Sequence, residues 1–411
     1  MANTNAGRGR ILTLIFSCLI GLMAGLIYTW SIWVGPITSE YGWDTDAVAL
    51  MGNVMLATFV FGVTIGGILM PKFGPRVSSF IGTVCFGGFF IISAFVTSPV
   101  LMYITYGGVA GIGVGILYLV GQFAASAWFP DRRGLVMGIF LAIFGLSVTV
   151  FTPLINSMLG SMGVHSTMLI IGIMVAVVCL VGSFFMSAPP AGWTPKGYAA
   201  AAAGASKPAE EKFVTVGEAL RTRDFWFVFL AYALLVWPYS FISSYVAVFV
   251  TEEKMLAASA AALAVSCTGI GSAVGRFLGG ALVDKAGPKL TYLIMCVCSV
   301  VGCLALIPAG SSGLIAALFI VICIGYGGRT PVYGVIFGKL FGQKYASTLY
   351  GWGTLSTAVP LVVAPLVTAA LRRSTGSFNA ACIVATVITV IGCLFFMALP
   401  RKTPVERKNG D

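Results

Sequence analysis

Apolar residues in this chain arrive in long, unbroken runs, divided by short stretches of glycine, proline and charge. Each run is about 20 to 28 residues, the length an α-helix needs to cross a hydrocarbon layer ~30 Å thick. Twelve spans are predicted, at about 11–36, 47–70, 77–97, 99–127, 134–160, 166–188, 224–250, 258–282, 289–309, 312–338, 346–371 and 377–399. β-structure does not fit the pattern: barrel strands would alternate apolar and polar positions, and an open sheet would leave edge N–H and C=O groups without partners in lipid. Between the sixth and seventh spans, "PPAGWTPKGYAAAAAGASKPAEEKF" is rich in Pro, Ala, Gly and charge and reads as a linker. The predicted organisation is therefore an N-terminal six-helix bundle (1–188), a cytoplasmic linker (189–223), and a C-terminal six-helix bundle with a short cytoplasmic tail (224–411).

Composition sharpens the class: 58% of residues are hydrophobic and 9% charged, against about a quarter charged in soluble chains. A soluble enzyme is excluded, and an all-α polytopic membrane protein is expected. The first apolar run follows Arg8 and Arg10 but continues to about Pro36 with no A-x-A site, so it reads as a retained span and not a cleaved signal. Of the 24 Lys and Arg residues, 19 fall on the face that holds both termini and the linker and 3 (Lys254, Arg372, Arg373) on the other. That bias predicts cytoplasmic termini and accounts for the net charge of +11 without nucleic acid. The ten cysteines lie inside apolar runs with no CxxC or Cys/His spacing, and the single histidine, His165, sits in a predicted external turn. No metal or cofactor site is expected. The G-x-x-x-x-G-K-[ST] loop is absent, and "GIGVGILYLVG" follows no strand and reads as helix packing, so no nucleotide partner is expected either.

The two halves repeat. "GGILMPKFGPR" (66–76) matches "GGALVDKAGPK" (279–289), an offset of 213, and "WFPDRRGLVMG" (128–138) occupies the place of "KLFGQKYASTLYG" (339–351). Parallel halves predict a cavity between them. The G-x-x-x-D-K-x-G-x-K loop (Gly280, Asp284, Lys285, Gly287, Lys289), its counterpart after span two and the layout of six plus six spans resemble the major facilitator superfamily along the whole chain. More narrowly, "YTWSIWVGPI", "GIGVGILY…WFPDRRGLVMG", "TVGEALRTRDFWFVF" and "GRFLGGALVDKAGP" are similar to the oxalate/formate antiporter branch, which is related to the monocarboxylate transporters. The first-half loop departs from the superfamily pattern, with Pro71 where an acidic residue is usual. "DRRG" and "DKAG", with Arg132, Arg133, Asp284 and Lys285, read as conformational latches.

All thirteen acidic residues can be placed outside the hydrocarbon, whereas two basic residues cannot. Arg276 precedes the cytoplasmic Asp284 by eight residues and Arg329 precedes Lys339 by ten, so they lie about 12 and 15 Å inward along a helix. A guanidinium at such depth costs roughly 2.5–3.5 kcal/mol and keeps its proton. Its missing partner must be water, backbone carbonyls or a bound anion, and a bound anion is expected because a forked donor matches a carboxylate. Gly271, Gly275 and Gly279 form a small-residue stripe for helix contact, with Arg276 at its edge. Tyr326, Arg329 and Tyr333 fall on one helix face, and Gly327, Gly328 and Pro331 predict a break in that helix.

Tyr28 and Trp30 in span one, Tyr118 with Gln122 one turn later in span four, and Trp352 in span eleven would complete a small polar-aromatic pocket. The resemblance implies ligand-facing roles for Tyr28, Tyr118 and Tyr326. Where that branch supports oxalate exchange with a lysine in span eleven, this chain has Thr357; where animal monocarboxylate transporters place an aspartate four residues before the span-eight arginine, it has Ser272. The expected function is a secondary transporter of small organic anions, carboxylates, exchanging them by alternating access in a bacterial inner membrane as a monomer. Proton-coupled monocarboxylate symport is the alternative within transport, and an anion-binding membrane sensor the alternative outside it. An enzyme is not expected, since the spans offer no nucleophile–base pair or metal set.

Overall fold

The computed structural model describes residues 2–190, 193, 213–400 and 403–408; residues 194–212 of the predicted linker, and Arg401 and Lys402, lie outside the described residues. Among the described residues the secondary structure is entirely helical. Numbering only helices of nine residues or more, the order is α1 (Ala2–Ala24), α2 (Ser31–Tyr41), α3 (Thr45–Thr83), α4 (Gly111–Ala127), α5 (Arg133–Phe185), α6 (Arg223–Val248), α7 (Ala258–Leu306), α8 (Ser312–Phe341), α9 (Ala346–Thr354), α10 (Ala358–Thr375) and α11 (Asn379–Met397).

Eight helical stretches are long and apolar enough to cross a membrane among the described residues. Three of them, containing α3, α5 and α7, each pass through one glycine with non-helical backbone: Gly74 (φ 77°, ψ 169°), Gly163 (φ 76°, ψ −179°) and Gly287 (φ 78°, ψ 167°). Such backbone is open to glycine alone. In each case a hydroxyl four residues on returns to the glycine carbonyl: Ser78 at 2.8 Å, Thr167 at 2.7 Å and Thr291 at 2.8 Å. Dividing the three stretches at these glycines gives eleven segments, and α6, with 26 residues, supplies a twelfth of spanning length. The breaks fall inside the predicted gaps 70–77, 160–166 and 282–289, so the chain turns there on one glycine instead of a loop.

The 213-residue repeat is visible in the backbone as well as the letters. Gly74 and Gly287 are repeat equivalents, and so are Ser78 and Thr291, which bond their carbonyls. A second pair joins the ends of other spans: Glu40 accepts the Val164 N–H at 2.8 Å, and Glu253, 213 residues on, accepts the Phe378 N–H at 2.6 Å and the Ser377 hydroxyl at 3.2 Å. Each carboxylate thereby satisfies an orphan donor at the start of a helical segment, where the helix dipole favours negative charge.

Two compact units are resolved. The first comprises Met1–Asp131, Ile143–Lys207 and Ser347–Trp352; the second comprises Arg132–Ala142, Pro208–Ala346 and Gly353–Asp411. The start of α5 therefore belongs with the second unit and the middle of α9 with the first.

Candidate functional site

In the first unit, the first span is interrupted by a tight 3₁₀ turn, Gly25–Thr29, between α1 and α2. Gly25 is required there: a Cβ on it would lie 2.1 Å from the Phe144 carbonyl oxygen and 2.4 Å from the Ser147 Cβ. This approach of α5 sets Tyr28 edge-on to the Phe144 ring, 5.5 Å between centroids. Phe144 also meets Tyr118 (4.9 Å) and Phe59 (6.2 Å), and Phe59 meets Tyr118 (5.2 Å). The structure thus brings Tyr28 and Tyr118 into one aromatic cluster. The Tyr118 and Tyr350 hydroxyls lie 3.3 Å apart, and the Tyr350 ring packs on Phe123 at 5.3 Å. Phe59, Phe144 and Tyr350 carry no signal of this role in the sequence, because an aromatic residue in an apolar span does not show what it touches.

Trp30 stands apart from that cluster. Its indole N–H donates to the Val48 carbonyl at 2.8 Å and its ring lies on Tyr106, 4.3 Å away. Trp352 is 37% exposed. Gln122 is fully buried on α4, and neither its Oε1 nor its Nε2 has a hydrogen-bond partner.

In the second unit, the small-residue stripe of α7 lies against α8. A Cβ at Gly271, Gly275 or Gly279 would come within 2.6, 2.4 and 2.1 Å of the carbonyl oxygens of Ile320, Ile324 and Gly328. Backbones this close leave no room for side chains between them, and Arg276 is turned to the adjoining face. There α7 meets the start of α5: a Cβ on Gly138 would be 2.4 Å from the Arg276 carbonyl oxygen, and one on Gly134 would be 2.7 Å from that of Gly280. The guanidinium of Arg276, 8% exposed, donates from Nη1 to the Leu141 carbonyl at 3.0 Å. Two turns along α7, Asp284 accepts the N–H groups of Gly134 and Leu135, both at 2.8 Å. These are orphan donors at the N-terminus of α5, so one carboxylate both caps that helix and fixes the register that brings Leu141 to Arg276. Lys285, Arg132 and Arg133 stand near this contact in sequence; Lys285 and Arg132 are exposed and Arg133 is half-buried.

Arg329 has different surroundings. It is 1% exposed, and donates from Nε to the Gly325 carbonyl (3.0 Å), from Nη2 to the Ser299 hydroxyl (3.2 Å) and from Nη1 to Cys296 Sγ (3.7 Å). Its guanidinium carbon lies 5.9 Å from the Tyr292 ring centroid. Tyr333 joins this group by donating to the Tyr292 hydroxyl at 2.9 Å, which in turn donates to the Ala231 carbonyl at 3.2 Å. Tyr333 also stacks on Tyr232 of α6 at 4.0 Å, and Tyr326 stacks on Tyr239 of the same helix at 4.0 Å without joining the Arg329 group. The predicted break in this helix is corrected: α8 runs unbroken from Ser312 to Phe341 through Pro331. The glycines are contact positions instead, since a Cβ on Gly327 would fall 2.3 Å from the Ser272 carbonyl oxygen and one on Gly328 2.4 Å from Met295 Sδ.

Among the described acidic residues, several are committed elsewhere. Asp131 pairs with Arg10 at 3.3 Å, Asp224 with Arg407, and Glu252 with Arg372. His165 Nδ1 lies 2.8 Å from the Ala94 carbonyl.

The comparisons with known proteins agree with an all-helical chain built of repeated halves. The family model described as Major Facilitator Superfamily matches residues 13–322 and 228–411. The chain belongs to the major facilitator superfamily. It is 26% identical over 416 residues to the oxalate:formate antiporter of Oxalobacter formigenes, covering 97% of this chain and 92% of that protein. It is 24% identical to monocarboxylate transporter 10 of Danio rerio, over 96% of this chain and 78% of that protein. A fucose:proton symporter of E. coli has the same fold, with a TM-score of 0.70 at 14% identity, over 96% of this chain and 100% of that one. XylE, solved as a double-tryptophan mutant, superposes with a TM-score of 0.74 at 14% identity, over 99% of each chain.

Proposed function

We propose that this superfamily member is a secondary transporter of small carboxylates, exchanging them across a bacterial inner membrane by alternating access of its six-helix halves, 1–188 and 224–411. The observation that carries the reading is the buried guanidinium of Arg276, which Nη1 anchors on the Leu141 carbonyl. A guanidinium is a planar fork whose parallel N–H donors match the two oxygens of a carboxylate. The similarity to an oxalate:formate antiporter and to monocarboxylate transporters supports the same class of substrate.

Arg276 is the anion anchor in this reading. Tyr28, Tyr118, Gln122 and Trp352 are the ligand-facing positions of the first unit, and Tyr326 that of the second. Arg329 takes a different part from the one its sequence position suggests. Three of its five N–H donors are engaged on Gly325, Ser299 and Cys296, so it ties α8 to the 288–306 segment, and Tyr333 belongs to the same structural group. Asp284 latches α7 to the start of α5, with Lys285, Arg132 and Arg133 beside it.

Counterflow in proteoliposomes tests exchange: labelled carboxylate should accumulate only in vesicles preloaded with carboxylate. Equal uptake into empty vesicles rejects exchange, and uptake driven by an inward pH gradient alone selects the symport reading. Thermal shifts on purified protein test the anchor. Small carboxylates should raise the midpoint of the wild type and not that of Arg276→Ala, while Arg329→Ala should lower the ligand-free midpoint. An undiminished carboxylate shift in Arg276→Ala removes the proposed anchor.

A further inference from the structure

Among the described residues of the first unit, Gln122 is the buried side chain with both of its polar atoms lacking a hydrogen-bond partner. The side chain is 0% exposed, and both ends of the amide lack a hydrogen-bond partner, so a flip of the group leaves the same deficit. Its helix offers no compensation. Fifteen residues of α4 are buried, and of the other polar side chains there, Tyr118 lies beside the Tyr350 hydroxyl and Ser126 donates to the Phe123 carbonyl. Folded chains leave few buried polar atoms unpaired, because an unpaired one forfeits its hydration with nothing in return. A leucine of similar volume would pack at this position without that loss. The amide calls for a partner.

The chemistry of that partner follows from the two ends of the amide. Nε2 donates and Oε1 accepts. A bare carboxylate has acceptors only, so it can satisfy the nitrogen and must leave the oxygen unpaired. An alkyl group satisfies neither. The group that fits both ends carries an O–H donor next to an oxygen acceptor, either as a hydroxyl beside a carboxylate or as a protonated carboxyl.

We propose that Gln122 is a specificity determinant that reads an O–H donor on the transported acid, so that the preferred substrates are carboxylates bearing a 2-hydroxyl or a second, protonated carboxyl. This rests on the carboxylate-transport reading and narrows it. Gln122 takes the end that differs from one acid to the next, and sites built to hydrogen-bond a substrate hydroxyl discriminate strongly against analogues lacking it.

Exchange in proteoliposomes decides this, with wild type and the variants Gln122→Leu and Gln122→Glu. Glycolate should compete for uptake roughly tenfold better than acetate at neutral pH, and lactate likewise better than propionate, if the donor is a hydroxyl. If it is a protonated carboxyl, malonate should compete better at pH 5 than at pH 7 by more than acetate does. In Gln122→Leu the preference should fall toward one, and in Gln122→Glu the hydroxyl preference should return in part because one acceptor is restored. Equal competition by each hydroxy acid and its deoxy analogue, with no rise for malonate at low pH, overturns the proposal while leaving carboxylate transport standing. So does a preference that survives intact in Gln122→Leu, which would mark the amide as a buried water site only. Wild-type vesicles that exchange no carboxylate at all reject both readings. The wild-type comparison needs no folded variant, so the proposal stays exposed even if a substitution fails to fold.

Discussion

Gly279→Ala is the sharpest single test of how the candidate site is built. A Cβ at this position would stand 2.1 Å from the Gly328 carbonyl oxygen, 2.5 Å from its Cα and 2.6 Å from its carbonyl carbon, all backbone atoms that cannot rotate away. Ordinary van der Waals contact needs about 3.5 Å, so α7 and α8 must separate by roughly 1 Å or more. The stripe contacts at Gly271 and Gly275 would loosen with them. Overpacking of this kind costs about 1–3 kcal/mol, which for a chain of 411 residues corresponds to a midpoint lower by about 1–3 °C. The assay is thermal unfolding in detergent, followed by a thiol-reactive dye that reports exposure of the buried cysteines Cys179, Cys267, Cys296, Cys303, Cys323, Cys382 and Cys393. Gly269→Ala, on the same helix and with nothing within 4 Å of the added carbon, is the control. It should match or slightly exceed the wild type, because alanine is the better helix former. Equal midpoints for the two variants would refute the argument that backbone contact between α7 and α8 positions Arg276.

The remaining predictions concern the charged contacts. Asp284→Asn removes the charge that caps the N-terminus of α5; because Asp284 is exposed, the loss should be about 1 kcal/mol or less, seen as a midpoint difference at low salt that narrows at high salt. Glu40→Gln and Glu253→Gln remove the matching carboxylates of the two repeats, and each should cost roughly 0.5–1 kcal/mol, additively in the double variant because the sites share no partner. Arg329→Ala should destabilise the ligand-free protein by about 3 kcal/mol or more through lost hydrogen bonds and the space left behind, with Arg329→Lys rescuing little because a lysine cannot reproduce the fork, both read from the thermal midpoint.

The helical fold was legible because its signal is cumulative: runs of apolar residues of spanning length leave no alternative in lipid. The repeat was legible because glycine and proline are fixed by backbone needs, and Gly74-Pro75 and Gly287-Pro288 stand at turns that admit no other residue type at the glycine. Sequence could not say which partner each buried group finds. Arg276 and Arg329 look alike in one dimension, each a cation deep in an apolar run, yet one rests on the carbonyl of a distant helix and the other on its own α8 and the 288–306 segment. Tyr326 and Tyr333 share a face by spacing and both stack on α6, on Tyr239 and Tyr232, each at 4.0 Å, but only Tyr333 also reaches the Tyr292 hydroxyl, and that difference is not written in the spacing. Gly327 and Gly328 signal a break and a close contact equally well, and only the position of Ser272 and Met295 tells which.

The repeat also separates scaffold from chemistry. Advancing 213 residues carries Gly74 to Gly287, Glu40 to Glu253 and Gly138 to Gly351, and each pair does the same work: Gly138 faces the carbonyl of Arg276, and Gly351 that of Val63, the repeat partner of Arg276. The polar groups do not follow. Arg276 answers to Val63, Arg329 to Ile116, Asp284 to Pro71, and in the other direction Gln122 answers to Val335 and Tyr118 to Pro331. The glycines and the carboxylates that recur serve the path of the backbone, which both halves share; Arg276, Gln122 and Tyr118 occur in one half each, so the shared backbone does not require them and their presence must be explained by what each side chain does in its own unit.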